Sequence, residues 1–227
     1  MLSPIKILLV EDSPHDEALI IEELRQSDME PKWKRVENEP DFLAGLADKP
    51  DIIISDFSLP QFSSWRALEL LKESKLDIPF ILVSGTIGEE FAVDSLKAGA
   101  TDYVLKERLQ RLAPAIRRAL NEAQERRQRL SAEAGLRLQH SALEAAANGI
   151  LITDREGNIL FANPAFCAMT GYRLEEFFGS NPRFLKSGKH DVRFYRKLWQ
   201  TILAGEVWRG EMINRKKDGT PFQEEMT

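Results

Sequence analysis

The 227-residue sequence has one cysteine, Cys167, and three histidines. A single thiol excludes an internal disulfide framework and any multi-cysteine zinc site, and it fits a reducing cytosol. The histidines, at positions 15, 140 and 190, are too scattered to build an all-protein transition-metal site. No apolar run reaches the ~20 residues needed to cross a membrane. The start, Met1-Leu2-Ser3-Pro4-Ile5-Lys6, runs into a strand-like segment without a signal-peptide cleavage pattern. A cytoplasmic protein with no membrane partner is therefore expected. No helix-turn-helix or finger pattern occurs, which argues against a nucleic-acid partner. No G-x-x-x-x-G-K-[ST] phosphate loop occurs either, so nothing in the chain marks a nucleotide-hydrolysing site.

What is present is ordinary for a globular protein: 43% apolar and 30% charged residues. The length allows one large domain or two small ones. Charge divides the chain: residues 1–112 carry 13 Lys and Arg against 22 Asp and Glu, and residues 113–227 carry 18 against 14. The asymmetry predicts two units with different surfaces, and the small basic excess reads as a solvated face.

The first half alternates strand and helix. Apolar runs at 5–10, 51–56 and 79–83, with shorter strands near 32–36 and 102–105, are separated by segments with helical spacing. Those segments are 14–27, 39–48, one marked by Leu68, Leu70 and Leu71, and one marked by Phe91, Val93 and Leu96 that stops at Gly99. Strands apolar on both faces and alternating with helices predict a doubly wound five-stranded parallel sheet, an α/β fold. Ligands of such sheets bind beyond the carboxyl ends of the strands. At those ends stand Glu11, Asp12, Asp56, Ser84 and Lys106. Three converging carboxylates repel one another, and ionising all of them calls for a cation. A hard divalent ion with oxygen ligands, Mg²⁺, suits the set. A hydroxyl and an ammonium suit phosphoryl oxygens, and a carboxylate can itself accept a phosphoryl group.

On these residues, positions 5 to about 120 resemble a response-regulator receiver domain of the flavodoxin-like fold. Glu11-Asp12 matches the acidic pair, Asp56 in Asp-Phe-Ser-Leu-Pro the phosphoacceptor, Ser84 the switch hydroxyl, Tyr103 the switch aromatic and Lys106 the lysine. The resemblance implies phosphoryl transfer to Asp56 from a histidine kinase or phosphotransfer protein. It also implies Mg²⁺ on Glu11, Asp12, Asp56 and the backbone carbonyl of Ser58. Phosphorylation would draw Ser84 inward and bury Tyr103. Two departures stand out. Glu107 follows Lys106 where the family often has proline after a cis bond. A cis bond before glutamate costs ~2.5–4 kcal/mol, so trans is expected. Gln61-Phe62-Ser63-Ser64 replaces the usual glycine-bearing turn.

From about Leu109 to Leu143 the chain reads as one long helix, with Pro114 near its start and Gly135 its one glycine. Ile116, Leu120, Ala123, Leu130, Ala134 and Leu138 fall near alternating steps of four and three, interrupted at Arg127. This predicts a signalling helix over 109–143 that continues the last receiver helix and dimerises as a parallel coiled coil. His140 lacks the acidic, proline-containing context of a kinase phosphodonor and reads as a helix-surface residue.

The second half, 144–227, reads as a small α+β domain. Strands are expected at 149–154, 159–163, 207–214 and from Pro221, and an amphipathic helix at 191–203. Asp154-Arg155-Glu156-Gly157, Asn163-Pro164-Ala165-Phe166, Thr170-Gly171-Tyr172, Asn181-Pro182-Arg183-Phe184-Leu185 and Trp208-Arg209-Gly210-Glu211 resemble a PAS domain. The match covers about 141–227 and implies an antiparallel sheet lacking its last strand, hence a piece of a longer protein. Pro182 stands where the flavin-binding branch has its reactive cysteine, so flavin–cysteine photochemistry is not expected. Cys167 reads as a small buried apolar residue and His190 as a loop residue without a heme pocket. No PAS ligand is expected.

The domains imply a two-component signalling protein rather than an enzyme: receiver 1–120, helix, PAS 144–227, acting as a homodimer. The alternative is a regulatory fragment of a sensor histidine kinase or cyclic-di-nucleotide synthase or hydrolase. No Gly-Gly-Asp-Glu-Phe stretch occurs in this chain.

Overall fold

The computed structural model describes residues 4–60, 62–85 and 89–227, and the side chains of 89–92 are not described. Met1 to Ser3, Gln61 and the Phe91 side chain, all named in the sequence analysis, therefore lie outside the described set. The chain divides into two compact units, Met1–Ser131 and Ala132–Thr227.

The first unit alternates β1 (Ile5–Val10), α1 (Pro14–Gln26), β2 (Pro31–Val36), α2 (Glu39–Ala47), β3 (Ile52–Asp56), α3 (Ser64–Ser74), β4 (Phe80–Ser84), α4 (Glu89–Lys97) and β5 (Asp102–Leu105). The strands form one parallel sheet in the order β2-β1-β3-β4-β5. The apolar runs are long because both faces are covered. Ile7, Leu9, Ile54 and Val83 point to the face packed by Ile20 and Leu24 of α1 and by Leu112 and Ile116. Their neighbours Leu8, Val10, Ile53 and Leu82 point to the face packed by Phe42 of α2 and Leu68 and Leu71 of α3. The chain switches direction between β1 and β3, so the ends of these two strands open a crevice at the sheet's centre.

The helix expected from about Leu109 starts later. Lys106–Arg111 forms a 3₁₀ segment broken at Arg108 (φ −133°, ψ 46°), and α5 runs from Leu112 to Glu144. Pro114 then falls in the first turn, where its missing N–H has no helical partner to lose. The apolar stripe also divides. Ile116 and Ala119 are buried in the first unit's core with Leu120 against it, and Ala123 is buried too. From Gln124 to Ala142 every residue is exposed, including Leu130 at 57% and Leu138 at 72%. The first half of the expected coiled-coil seam is therefore receiver core. Arginines reinforce this packing: Arg118 pairs with Asp102, Arg126 Nε lies 3.1 Å from both carboxylate oxygens of Asp77, and Arg127 donates to the Asp77 carbonyl.

The second unit contains β6 (Leu151–Thr153), β7 (Ile159–Ala162), α6 (Pro164–Thr170), α7 (Leu174–Phe177), α8 (Val192–Leu203), β8 (Gly210–Arg215) and β9 (Pro221–Met226). Its strands form two separate antiparallel pairs, β6-β7 and β8-β9. The strand expected from Val207 begins at Gly210, because Trp208 folds back instead: its ring would lie 2.7 Å from a Cβ on Gly210. The β6-β7 turn is closed by Asp154, whose carboxylate accepts from the Asn158 amide at 2.7 Å and side chain at 2.8 Å. Gly157 (φ +85°) completes it, and a Cβ there would meet Asn181 at 2.5 Å.

Asn163 ties this unit together. Fully buried, it caps α6 by accepting from the Phe166 amide at 3.0 Å, and it accepts from Ile150 at 2.8 Å. Its Nδ2 donates to the carbonyls of Leu143, Ala146 and Asn148 at 3.2, 3.1 and 2.9 Å. One side chain thus joins the end of α5 to the first strand pair.

Candidate functional site

The site is assembled by strand ends. β1 stops at Val10 and delivers Glu11 and Asp12, and Ser13 then caps α1 by accepting from the Asp16 amide at 3.3 Å. β3 ends on Asp56, β4 on Ser84, and Lys106 follows β5 directly. Because all five strands run parallel, these termini share one edge of the sheet.

Glu11, Asp12 and Asp56 converge there, each offering a carboxylate oxygen within 4.8 Å of the others. Glu11 is fully buried, Asp56 is 7% exposed and Asp12 is exposed. Lys106 Nζ lies 3.2 Å from Glu11 Oε2 and 3.2 Å from Asp56 Oδ2. The backbone fixes the other oxygens: Ser13 N–H donates to Glu11 Oε1 at 3.0 Å, and Phe57 N–H donates to Asp56 Oδ1 at 2.8 Å. Burial raises the Glu11 pKa, and the Asp56 charge adds to the shift against the Ser13 amide and Lys106. Burial works to lower the Lys106 pKa, but Asp16, Asp56 and Glu11 outweigh it and hold the ammonium above its ordinary value. The oxygen-only donor set and the mutual repulsion of its members fit a hard divalent cation such as Mg²⁺. Ser58 is exposed two residues beyond Asp56.

Ser84 is buried at the end of β4. Tyr103 on the neighbouring strand is half-buried; burial raises its pKa, and a side-chain hydrogen bond with Ser84 opposes that shift. The expected hydroxyl and aromatic therefore touch. The Lys106–Glu107 bond is trans, since no cis peptide occurs among the described residues.

Sequence reasoning missed Asp16. It stands in the first turn of α1 and makes the closest ion pair with Lys106. Its available signal was the Ser-Pro-x-Asp start of a helix immediately after the acidic pair, which returns the first turn to the strand ends.

In the second unit, His190 Nε2 accepts the Ile213 amide at 2.8 Å and its ring stacks on Phe194 at 4.0 Å. That nitrogen is committed to β8. Pro182 opens a 3₁₀ turn capped by Asn181. Cys167 packs beside Phe166 and Phe177, and burial raises its pKa. His140 is exposed, edge-on to Phe161 at 6.1 Å. No described helix is long and apolar enough to cross a membrane.

Residues 7–117 match the family model of the response regulator receiver domain, and residues 138–227 match that of the PAS fold. Among solved structures, the signal receiver domain of a Luxo repressor protein from Vibrio parahaemolyticus aligns with a TM-score of 0.50 and 25% identity, covering 55% of this chain and 95% of that one. The bacterioopsin transcriptional activator of Halobacterium salinarum is 28% identical over 202 residues, 80% of this chain and 29% of the relative. The nitrogen fixation regulatory protein of Klebsiella oxytoca is 44% identical over 77 residues, 34% of this chain and 16% of the relative. The chain thus spans less than a third of the length of these relatives. Its parallel sheet and acidic edge, its antiparallel strand pairs and both family matches agree: the chain carries a response regulator receiver domain, then a long helix, then a PAS domain.

Proposed function

We propose that this chain is a phosphorylation-driven signalling module in which Asp56 accepts a phosphoryl group from a histidine kinase or phosphotransfer protein. Receiver and PAS domains are regulatory modules, and the reading treats the receiver as input and α5 with the PAS unit as relay. The observation that carries it is buried Glu11 and Asp56, both paired with half-buried Lys106, beside exposed Asp12. An Asp56 carboxylate oxygen attacks phosphorus, an acyl phosphate bond forms, and the donor leaves with the electron pair of its broken P–N or P–O bond. Glu11, Asp12, Asp56 and the Ser58 carbonyl would hold Mg²⁺, which supplies charge neutralisation between the two anions. Lys106 holds a phosphoryl oxygen, and the Ser84–Tyr103 pair changes position with it.

The test is intact mass after incubation with Mg²⁺ and acetyl phosphate. One added phosphoryl group is expected, and no gain in folded protein overturns the reading.

The relay reading includes a homodimer. Leu130, Ala134 and Leu138 lie exposed along α5 on the continuation of its receiver-packed face. A helix this exposed is stabilised by a partner. Light scattering on the full chain is expected to give a dimer, and Leu130→Glu with Leu138→Glu a monomer. A monomeric parent chain at about 100 μM would remove the dimer from the proposal.

A further inference from the structure

Asp16 is the partner of Lys106 that stands outside the candidate cation group. Lys106 Nζ meets Glu11 and Asp56 at 3.2 Å each and Asp16 more closely. The ammonium donates to Glu11 and Asp16 and is ion-paired with Asp56, so three carboxylates hold it. A divalent ion on Glu11, Asp12 and Asp56 draws two of the three to itself and repels the ammonium at short range. The anion left to Lys106 is Asp16. Its placement is rigid: Ser13 accepts from the Asp16 amide at 3.3 Å, and the Ser13 amide donates to Glu11 at 3.0 Å. One turn of chain therefore fixes both a cation ligand and the anchor of the lysine.

We propose that Asp16 is a positioning residue that holds Lys106 at the rim of the acidic site, so that the ammonium neither blocks the cation nor leaves the phosphoryl-binding position. This rests on the reading of the acidic edge as a phosphoacceptor site. Without Asp16, Lys106 falls back on Glu11 and Asp56 and competes with the ion for them.

The experiment is a double-mutant cycle on the full chain, with Mg²⁺ affinity measured by calorimetry. Asp16→Asn is expected to weaken Mg²⁺ binding about fivefold in the parent chain, and by under about 1.5-fold in a Lys106→Met background, where there is no ammonium to misplace. Asp16→Glu, which keeps the charge, is expected to restore most of the affinity. Equal losses in both backgrounds would make Asp16 a nearby charge and nothing more, and an unchanged affinity would also overturn the proposal. Acetyl phosphate uptake is followed in parallel. Asp16→Asn is expected to slow it, and the double variant to be no slower than Lys106→Met alone. If the parent chain takes up no phosphoryl group while the Mg²⁺ cycle holds, the acceptor reading fails and the anchoring of Lys106 stands. If uptake proceeds and the cycle shows no coupling, the reverse is true.

Discussion

An Asp56→Ala chain is expected to take up no phosphoryl group from acetyl phosphate, and also to melt at a higher temperature than its parent when divalent cations are removed. The two effects share one cause. Glu11 is fully buried, Asp56 nearly so, and Lys106 is the ammonium they share with Asp16. Without a divalent ion, the edge holds more negative charge than one ammonium can balance, and the raised Glu11 pKa reflects its burial and then the Asp56 charge. Removing Asp56 deletes the attacking oxygen and relieves the repulsion together, a trade of stability for function worth about 1 kcal/mol. The pH dependence has a definite sign. Glu11 is an acid with a raised folded pKa, so the folded state binds its proton more tightly than the unfolded state does. Stability of the first unit therefore falls as pH rises from the ordinary carboxylate range through the folded Glu11 pKa, and the fall is smaller in Asp56→Ala. Thermal melts in EDTA across that range measure it. A variant that loses both uptake and stability would show that Asp56 serves the fold instead.

Asn163→Ala is expected to cost about 3–5 kcal/mol and to unfold residues 132–227 selectively. The side chain is fully buried and bonds the amides of Ile150 and Phe166 and the carbonyls of Leu143, Ala146 and Asn148. Alanine supplies none of these bonds. It removes an N-cap, worth ~1 kcal/mol, and strips a partner from part-buried backbone groups, at up to ~1–3 kcal/mol each. Asp cannot substitute, because it has no N–H to offer the three carbonyls. Hydrogen exchange should show early opening of β6, β7 and the last turn of α5, with β1 to β5 protected as in the parent. Uniform loss of protection across both units would contradict the assignment of Asn163 to the second unit alone.

The receiver-like sheet was legible because β1, β3 and β4 are buried on both faces, so each reads as a largely apolar run closed by a polar residue. The same pattern placed Glu11, Asp12, Asp56, Ser84 and Lys106 on one edge, and its three carboxylates do converge there. Asp16 had a helix-start signal but its pairing was not legible, because that depends on where Lys106, 90 residues later, ends up. The arginines of α5 read as solvated charge, because nothing local to a helix reveals that Asp77, before β4, and Asp102, at the start of β5, lie within reach. Periodicity showed the apolar stripe of α5 but not which protein surface would consume it. Ile116 and Ala123 went to the intramolecular core, leaving Leu130 onward. Asn163 carried the helix-start signal of Asn before Pro, but its carbonyl partners lie 15 to 20 residues earlier, at the end of α5 and in the irregular segment after it, where no local pattern points to them.

The unbroken course of α5 sets a rule for changing its length. A straight helix advances 100° per residue, so excising seven residues from the exposed stretch 124–142 shifts the angular phase of the downstream turns by only about 20°. Excising one or two residues would shift that phase by about 100° or 200°. Natural or engineered variation in this segment should therefore come in near-whole-turn lengths such as about seven, eleven or eighteen residues, and Gly135, a helix-interior glycine with no neighbour within 4 Å of its would-be Cβ, is where such a splice disturbs least.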